Sequence, residues 1–326
     1  MNLLLRATLV AAVAGVAVGS PAAAVAQVTR YPTKSIRLVN PYAPGGVVDI
    51  VGRVIAQKLN ESWGQPVIVD NRPGAGTTIG TEIVVRAAPD GYTLLATSSV
   101  IATNVTLMRL PFNPVADLAP VALAAQAPYL LAVHPSVPAK SVQELIDLAK
   151  AKPGQIIYGS SGAGTTTHLA MELFRSLAKI DMLHVPYKGG VPSASALFGG
   201  EVHAVFYTLT AILPQARAGK VRVLAVSSPK RIATVPEIPT VAESGLPGFE
   251  VTGWYAVFAP ATTPRAIVNQ INAEINRILQ RTEVREIFVA NDLVPLGGTP
   301  EALGDYLKIE IARWAKVIRG AGIKSE

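Results

Sequence analysis

Short apolar runs of strand length alternate along the chain with segments whose apolar residues recur at helical spacing. Residues 36–40, 67–70 and 92–97 are of the first kind. Val47, Val48, Val51, Val54, Ile55 and Leu59 show the second pattern, on one face of a helix. This alternation predicts a first α/β lobe. Residues 118–133 break it: 120–125 and 129–133 read as two extended pieces with no helix between, which predicts a crossing between lobes. A second set follows. Ser141-x-x-Glu144 is a capping box at the head of a helix over 142–151. Strands at 155–158, 182–185, 202–206 and 221–226 then alternate with helices at 167–177, 193–198 and 211–218. After Pro236, Pro239 and Pro247, residues 251–258 read as a strand returning to the first lobe. Thr263-Pro264 and Thr299-Pro300 read as N-cap and first-turn pairs for amphipathic helices over 265–280 and 301–319, which should cover the first lobe's sheet. The divisions expected are 27–122 with 248–326 for lobe 1, and 123–247 for lobe 2.

The start of the chain carries a different signal. Arg6 precedes an apolar stretch over 7–18 and a small-residue segment ending Ala24-Val25-Ala26, the pattern of a secretory signal peptide cleaved after Ala26. That stretch is shorter than the about 20 residues a membrane span needs. The expectation is an exported, periplasmic protein of about 300 residues, room for two domains. The chain has no cysteine, which excludes disulfides, thiolate metal sites and a lipid-anchored cysteine. Net charge is +7, or +6 once Arg6 goes with the leader. The cations are scattered, with no basic run interleaved with aromatics, so the charge reads as solvated surface with a mild pull on anions and no nucleic-acid partner.

Candidate chemistry sits at the strand-to-helix turns. Gly162-Ala163-Gly164-Thr165-Thr166 follows an apolar run and opens a helix, and the same five letters occur at 74–78. A third turn, Pro44-Gly45-Gly46, precedes the helical pattern at 47–59. Glycines admit positive φ and close approach, and the first amides of a helix have no partner inside it, so such turns suit an anion. Hydroxyls of Ser160, Ser161, Thr165 and Thr166 add donors. A tight turn needs glycine in any α/β protein, so each copy alone is equally explained by structure. None completes a nucleotide motif: Ile79 stands where the dinucleotide fingerprint wants glycine or alanine, and no loop has the Gly-Lys-Ser/Thr of a P-loop. Ala163 likewise spoils a hydrolase elbow at 159–163. His134, His168, His184 and His203 lack metal-ligand spacing, so no metal or other cofactor is expected, with His168 the one histidine singled out.

Ordered landmarks across the mature chain carry a family resemblance. Pro44-Gly45-Gly46-x-x-Asp49-x-x-x-Arg53, Val69-Asp70-Asn71-Arg72-Pro73-Gly74-Ala75-Gly76, Pro89-Asp90-Gly91-Tyr92, Gly159-Ser160-Ser161-Gly162 with His168-Leu169-Ala170, Val185-Pro186-Tyr187-Lys188-Gly189-Gly190 and Pro239-Thr240-Val241-Ala242-Glu243-Ser244-Gly245 resemble the Bug-type solute receptors of tripartite tricarboxylate transporters. The resemblance implies a type II periplasmic-binding-protein fold, two α/β lobes closing like a Venus flytrap on a small organic carboxylate. It implies delivery to the integral-membrane permease subunits of such a transporter, and no catalysis.

Carried over from the resemblance, the ligand contacts are Tyr42, Gly45, Gly46 and Val47, with Ser98 and Ser99, from lobe 1. From lobe 2 they are Gly162, Ala163, Gly164, Thr165 and Thr166, with Tyr207 and Thr208. Many relatives have an acidic or amide residue after the strand phenylalanine, where this chain reads Phe206-Tyr207-Thr208. That departure favours a ligand without an amino group, aromatic or dicarboxylic. Asp49 is expected to cap its own helix, and Arg53 and Arg72 to pair with loop carbonyls or acids. Trp254 and Tyr255 fit the cleft entrance and simple strand packing equally well. Strand ends that offer mainly glycine, serine and threonine lack a nucleophile with a positioned base, which argues against an enzyme. A sensor-coupled exported receptor is the alternative to a transport receptor.

Overall fold

A computed structural model describes residues 31–187 and 189–323; the expected signal peptide, 1–26, lies outside them. In the first half, β1 (Ile36–Asn40) lies parallel between β2 (Val67–Asn71) and β3 (Thr93–Ser98). Each strand is followed by its helix: α1 (Val47–Trp63), α2 (Thr78–Val85) and α3 (Val100–Leu107). The alternation forces this geometry, because a parallel neighbour can be reached only through a crossover. The first copy of the repeated pentapeptide forms a single 3-10 turn, Ala75–Thr77, with Gly74 and Gly76 at positive φ, pinned to α3 by the Asn104 side chain on the Gly76 carbonyl.

The crossing segment is one strand rather than two pieces. β4 (Leu118–Val133) runs unbroken for 16 residues, about 50 Å, with irregularities at Pro120/Ala122 and Leu123/Ala125. Over Leu118–Pro128 it pairs antiparallel with β9 (Thr252–Pro260), and β9 pairs in turn with β3. From Tyr129 to Val133 its partners are instead β7 (Ala204–Thr208) and β8 (Arg222–Val226). Pro128, which has no N–H to give a ladder, stands where the partners change. The second half repeats the first, with β5 (Ile157–Ser160) parallel to β6 (Leu183–Pro186) and to β7. Its helices are α4 (Val142–Ala151), α5 (Thr166–Ala178), α6 (Gly190–Phe198) and α7 (Leu209–Arg217).

Helices α8 (Arg265–Leu279), α9 (Thr282–Ala290) and α10 (Pro300–Gly320) close the chain, with a two-residue strand β10 (Val294–Pro295) on the edge of β4. The spacing predicts neither α9 nor β10; α9 has just two fully buried residues, Val284 and Phe288, too few for a periodic signal. Thr299 caps α10 through the Ala302 amide as expected. Thr263 does not cap α8: its hydroxyl donates to the Pro260 carbonyl, and Pro264 takes the N-cap position. At α4 the Ser141 hydroxyl accepts the Glu144 amide, while the Glu144 carboxylate reaches back one residue further, to the Lys140 amide.

All nine residues of β9 are buried. Trp254 is held there by Glu310 of α10, whose carboxylate, wholly buried, accepts the indole N–H of both Trp254 and Trp314 at 3.0 Å and pairs with Arg313. Replacing Glu310 by alanine strands two buried indole donors and takes from Arg313 its nearer carboxylate partner, leaving Glu250 at 3.8 Å. We expect a loss of about 3 kcal/mol, with Glu310→Gln milder because one acceptor remains. Urea unfolding midpoints measure both, and an alanine variant as stable as the parent would refute this role for the carboxylate.

Candidate functional site

The first wall is the turn between β1 and α1. Gly45 takes φ +89°, and Gly46, an N-cap without a side-chain bond, leads straight into the helix. Asp49 faces back into its own turn: it accepts the Gly45 amide at 2.9 Å, the Asn71 amide group at 2.9 Å and Arg53 at 2.7 Å. Burial pushes its carboxyl up, but the hydrogen bonds from Arg53, the Gly45 amide and Asn71 pull it down further, to about 2. The carboxylate therefore organises the turn and the Gly45 amide is used in doing so. Arg72 pairs with Asp70. Gly46, the N-cap, and Val47 and Val48, the first residues of a 17-residue helix, line a cavity of about 180 Å³. Their amide groups belong to the set that no helix can satisfy internally, at the positive end of its dipole. Beside them Tyr42 meets Ser98, Oη to Oγ 2.6 Å, and the Ser99 amide is held by the Trp254 carbonyl at 2.9 Å.

The second wall is the turn between β5 and α5, and here most amides are already committed. Ser161 N–H goes to Thr167 Oγ1 (2.9 Å), Gly162 N–H to Ser160 Oγ (3.2 Å), Thr165 N–H to the Gly162 carbonyl (3.3 Å) and Gly164 N–H to His168 Nδ1 (3.0 Å). Only Thr166 of this turn lines the cavity. Gly162, Ala163, Gly164 and Thr165 shape the turn, and Gly45 does the same opposite. Gly164, at φ +73°, lies so close to α3 that a Cβ there would stand 3.0 Å from Leu107 Cδ1, so the turn bears directly on the first half. Tyr207 and Thr208 also stand apart from the cavity. The Tyr207 ring lies over Gly190 and packs with the smaller apolar cluster, and Thr208 stands at the N-cap position of α7 without a side-chain bond to it.

Histidines support the second turn. His168 and His184 stack with centroids 3.9 Å apart and planes 7° from parallel, and Tyr158 stacks on His184. Accepting the Gly164 amide on Nδ1 places the His168 proton on Nε2, which faces Glu172 at 3.8 Å. Glu172 also accepts the Tyr158 hydroxyl and pairs with Arg175. His184 Nε2 hydrogen-bonds Ser160 Oγ at 2.7 Å. Burial lowers the pKa of both rings, and the neighbouring His168 helps bring His184 to about 4.

The floor comes from residues that sequence reasoning either missed, Tyr129 and Gly253, or left open, Tyr255. Two antiparallel strands, β4 and β9, bring them together from positions far apart in the chain. A glycine inside an otherwise apolar strand was the available signal: a Cβ on Gly253 would stand 3.0 Å from Tyr129 Oη and 3.5 Å from Tyr255 Oη. Burial pushes the Tyr129 phenol up to about 12, and raises those of Tyr42 and Tyr255. All three are neutral at ordinary pH. The lining thus holds hydroxyls and helix-end amides, with no carboxylate, ammonium or guanidinium. Larger grooves of about 360 and 440 Å³ lie along α7 and α9, around Pro128, Ile232, Val289 and Leu293; the first takes in the start of α7 at Leu209 and Thr210, where the Thr210 amide is already held by the Asp292 carboxylate. Among the described residues no group of three or more acidic or histidine side chains is placed to hold a metal, and no helix is long and apolar enough to cross a membrane.

Comparison with known proteins matches residues 51–323 to the tripartite tricarboxylate transporter family receptor. Protein BugT of Bordetella pertussis is 40% identical over 299 residues, spanning 90% of this chain and 91% of its own. Among solved structures, R. palustris Rpa4515 with adipate is 36% identical with a TM-score of 0.76, over 91% of this chain and 100% of that one. MatC from Rhodopseudomonas palustris, with bound malate, is 32% identical with a TM-score of 0.71, over 88% and 100%. The architecture is accordingly that of the two-lobe solute-binding proteins.

The stacked histidines make stability depend on pH. His184 has a lower pKa folded than unfolded, so the unfolded chain takes up the proton first as pH falls. Its contribution is complete above about 6.5 and is lost on descending to about 4. Screened by solvent at the half-buried ring, the loss is on the order of 1–2 kcal/mol. His184→Gln, which retains a partner for Ser160, should flatten the unfolding free energy across that window; an unchanged slope in urea titrations at stepped pH would refute the assignment.

Proposed function

The chain belongs to the tripartite tricarboxylate transporter receptor family, whose members are solute-binding receptors and not enzymes, and on that premise we propose that it captures a small organic carboxylate in the periplasm and presents it to a membrane permease. The observation that carries this reading is the cavity wall itself. The start of α1, at Gly46, Val47 and Val48, faces Thr166 at the start of α5 across about 180 Å³ ringed by the hydroxyls of Tyr42, Ser98, Ser99, Tyr129 and Tyr255. Two positive helix ends and neutral donors suit an anion held by dipoles instead of by a salt bridge. The relatives solved with adipate and malate support an acid as ligand.

In this reading the lobes are 27–122 with 248–326, and 123–247. Of the residues expected to touch ligand, Tyr42, Gly46, Val47, Ser98, Ser99 and Thr166 do so directly, while Gly45, Gly162, Ala163, Gly164, Thr165, Tyr207 and Thr208 hold the walls in shape. Closure brings the α5 turn against Leu107, and a ligand drives it to the extent that it binds the shut form better than the open one. The leader over 1–26 takes the chain to the periplasm, where the permease subunits of a tripartite transporter would receive the loaded form.

Thermal-shift measurement on residues 27–326 tests the ligand class, with succinate, malate, adipate, benzoate, citrate, glycine and aspartate as probes. An acid present at a hundredfold over its dissociation constant adds about 2.7 kcal/mol of stability. Ser98→Ala should weaken that acid by roughly tenfold, whereas Ser141→Ala, a helix cap far from the cavity, leaves affinity unchanged. Stabilisation confined to glycine and aspartate, or equal affinity in both variants, would overturn the reading.

A further inference from the structure

Helix α7 is capped from outside its own half of the molecule. Its N-cap residue, Thr208, makes no side-chain bond to it. Instead the Thr210 amide donates to the Asp292 carboxylate at 2.5 Å, across a separation of 82 residues. The two partners belong to different sheets. β7, which leads into α7, pairs with β5 and with Tyr129–Val133 of β4. Asp292 immediately precedes β10, which pairs with Ala125 and Gln126 of β4, inside the stretch laced to β9. The changeover at Pro128 lies between these attachments, so the capping bond spans the junction of the halves. Asp292 makes it from φ +59°, a backbone that residues other than glycine seldom adopt.

This bond also lies behind the cavity. Pro128 lines the groove that holds Asp292 and Thr210, and Thr252, its partner on β9, lines the adjoining one. Tyr129, Gly253 and Tyr255 line the cavity. Successive residues of a strand face opposite sides, so cavity and groove occupy opposite faces of the β4–β9 ribbon. A rotation that parts the starts of α1 and α5 on one face therefore moves α7 against α9 and β10 on the other. A bond between two bodies that turn relative to each other is specific to one arrangement, and here it is made with the α5 turn lying against Leu107. We propose that Asp292 is a positioning residue for solute capture: by capping α7 across the junction it favours the arrangement in which the start of α5 faces that of α1. It acts through the population of the shut form, since a receptor less often shut binds with an apparent affinity lowered in proportion. The role in capture rests on the carboxylate-receptor reading above; the effect on the halves does not.

Two variants test this. Asp292→Gly removes the carboxylate and suits the left-handed backbone, while Asp292→Asn tolerates the same backbone and keeps an acceptor for the Thr210 amide. In isothermal titration of the mature protein with succinate, malate and adipate, the glycine variant should bind the parent's preferred acid about 3- to 10-fold more weakly. The asparagine variant should stay within about twofold of the parent. Nitroxide labels on Asn60→Cys in α1 and Lys150→Cys in α4, in a chain with no cysteine of its own, report the spacing of the halves without solute by pulsed electron resonance. Asp292→Gly should shift that spacing and Asp292→Asn should restore it. If Asp292 merely secured α7, its loss would lower the unfolding midpoint but leave spacing and affinity at parental values. That result, or tighter binding by the glycine variant, would overturn the positioning role. A folded parent that binds none of the acids would overturn the receptor reading, and the spacing then decides whether Asp292 holds the halves: a shift supports it and an unmoved spacing overturns it.

Discussion

A neutral site that captures an anion has to keep donors buried yet uncommitted, and the rest of this structure can be read as the means of doing so. An amide or hydroxyl withheld from protein partners costs about 1–3 kcal/mol when water is excluded. Among the groups that carry that burden at the cavity are the first amides of α1 and the start of α5. Several neighbouring groups that might otherwise collapse onto them are occupied. Asp49 takes the Gly45 amide, Arg53 and Asn71 hold Asp49, and the histidine pair with Ser160 and Thr167 consumes the amides of the second turn.

The two walls reach this state by different routes. In the first, a carboxylate with depressed pKa lies behind the turn, so its charge is spent on Arg53 and does not repel a ligand. In the second, imidazoles kept neutral by burial do the same work. A stacked pair with centroids 3.9 Å apart is poorly suited to carrying two positive charges, and this favours the acceptor form of His168 that the Gly164 amide requires. Neither device places a formal charge in the cavity lining.

Much of the framework was legible in the chain itself. Strand-length apolar runs gave β1, β2 and β3 to within one residue and the second half's strands to within two, and Thr299 and Ser141 announced their helices because capping is a local interaction. The first wall was legible for the same reason, since Gly46 and Val47 follow β1 directly. The floor was not: Tyr129 and Gly253 are neighbours only because β4 and β9 pair antiparallel, and no local pattern encodes that register. Nor does spacing reveal which amides of a glycine turn are already taken, as Gly164 shows by yielding its own to His168. The continuity of β4 through Pro128 escaped notice because a proline inside an apolar run ordinarily marks an end.

That continuity bears on how the molecule moves. With β4 and β9 laced together over Leu118–Pro128, the junction between the halves is a hydrogen-bonded ribbon and not a pair of loose loops. A ribbon of this kind yields by torsion about its long axis, through small changes shared over many residues, so no backbone bond need rupture when the mouth widens. The irregularities at Pro120/Ala122 and Leu123/Ala125 lie along that stretch and soften it. Admission and escape of solute thereby become elastic events, with the restoring force written into the strand pair that also carries the tyrosines of the floor.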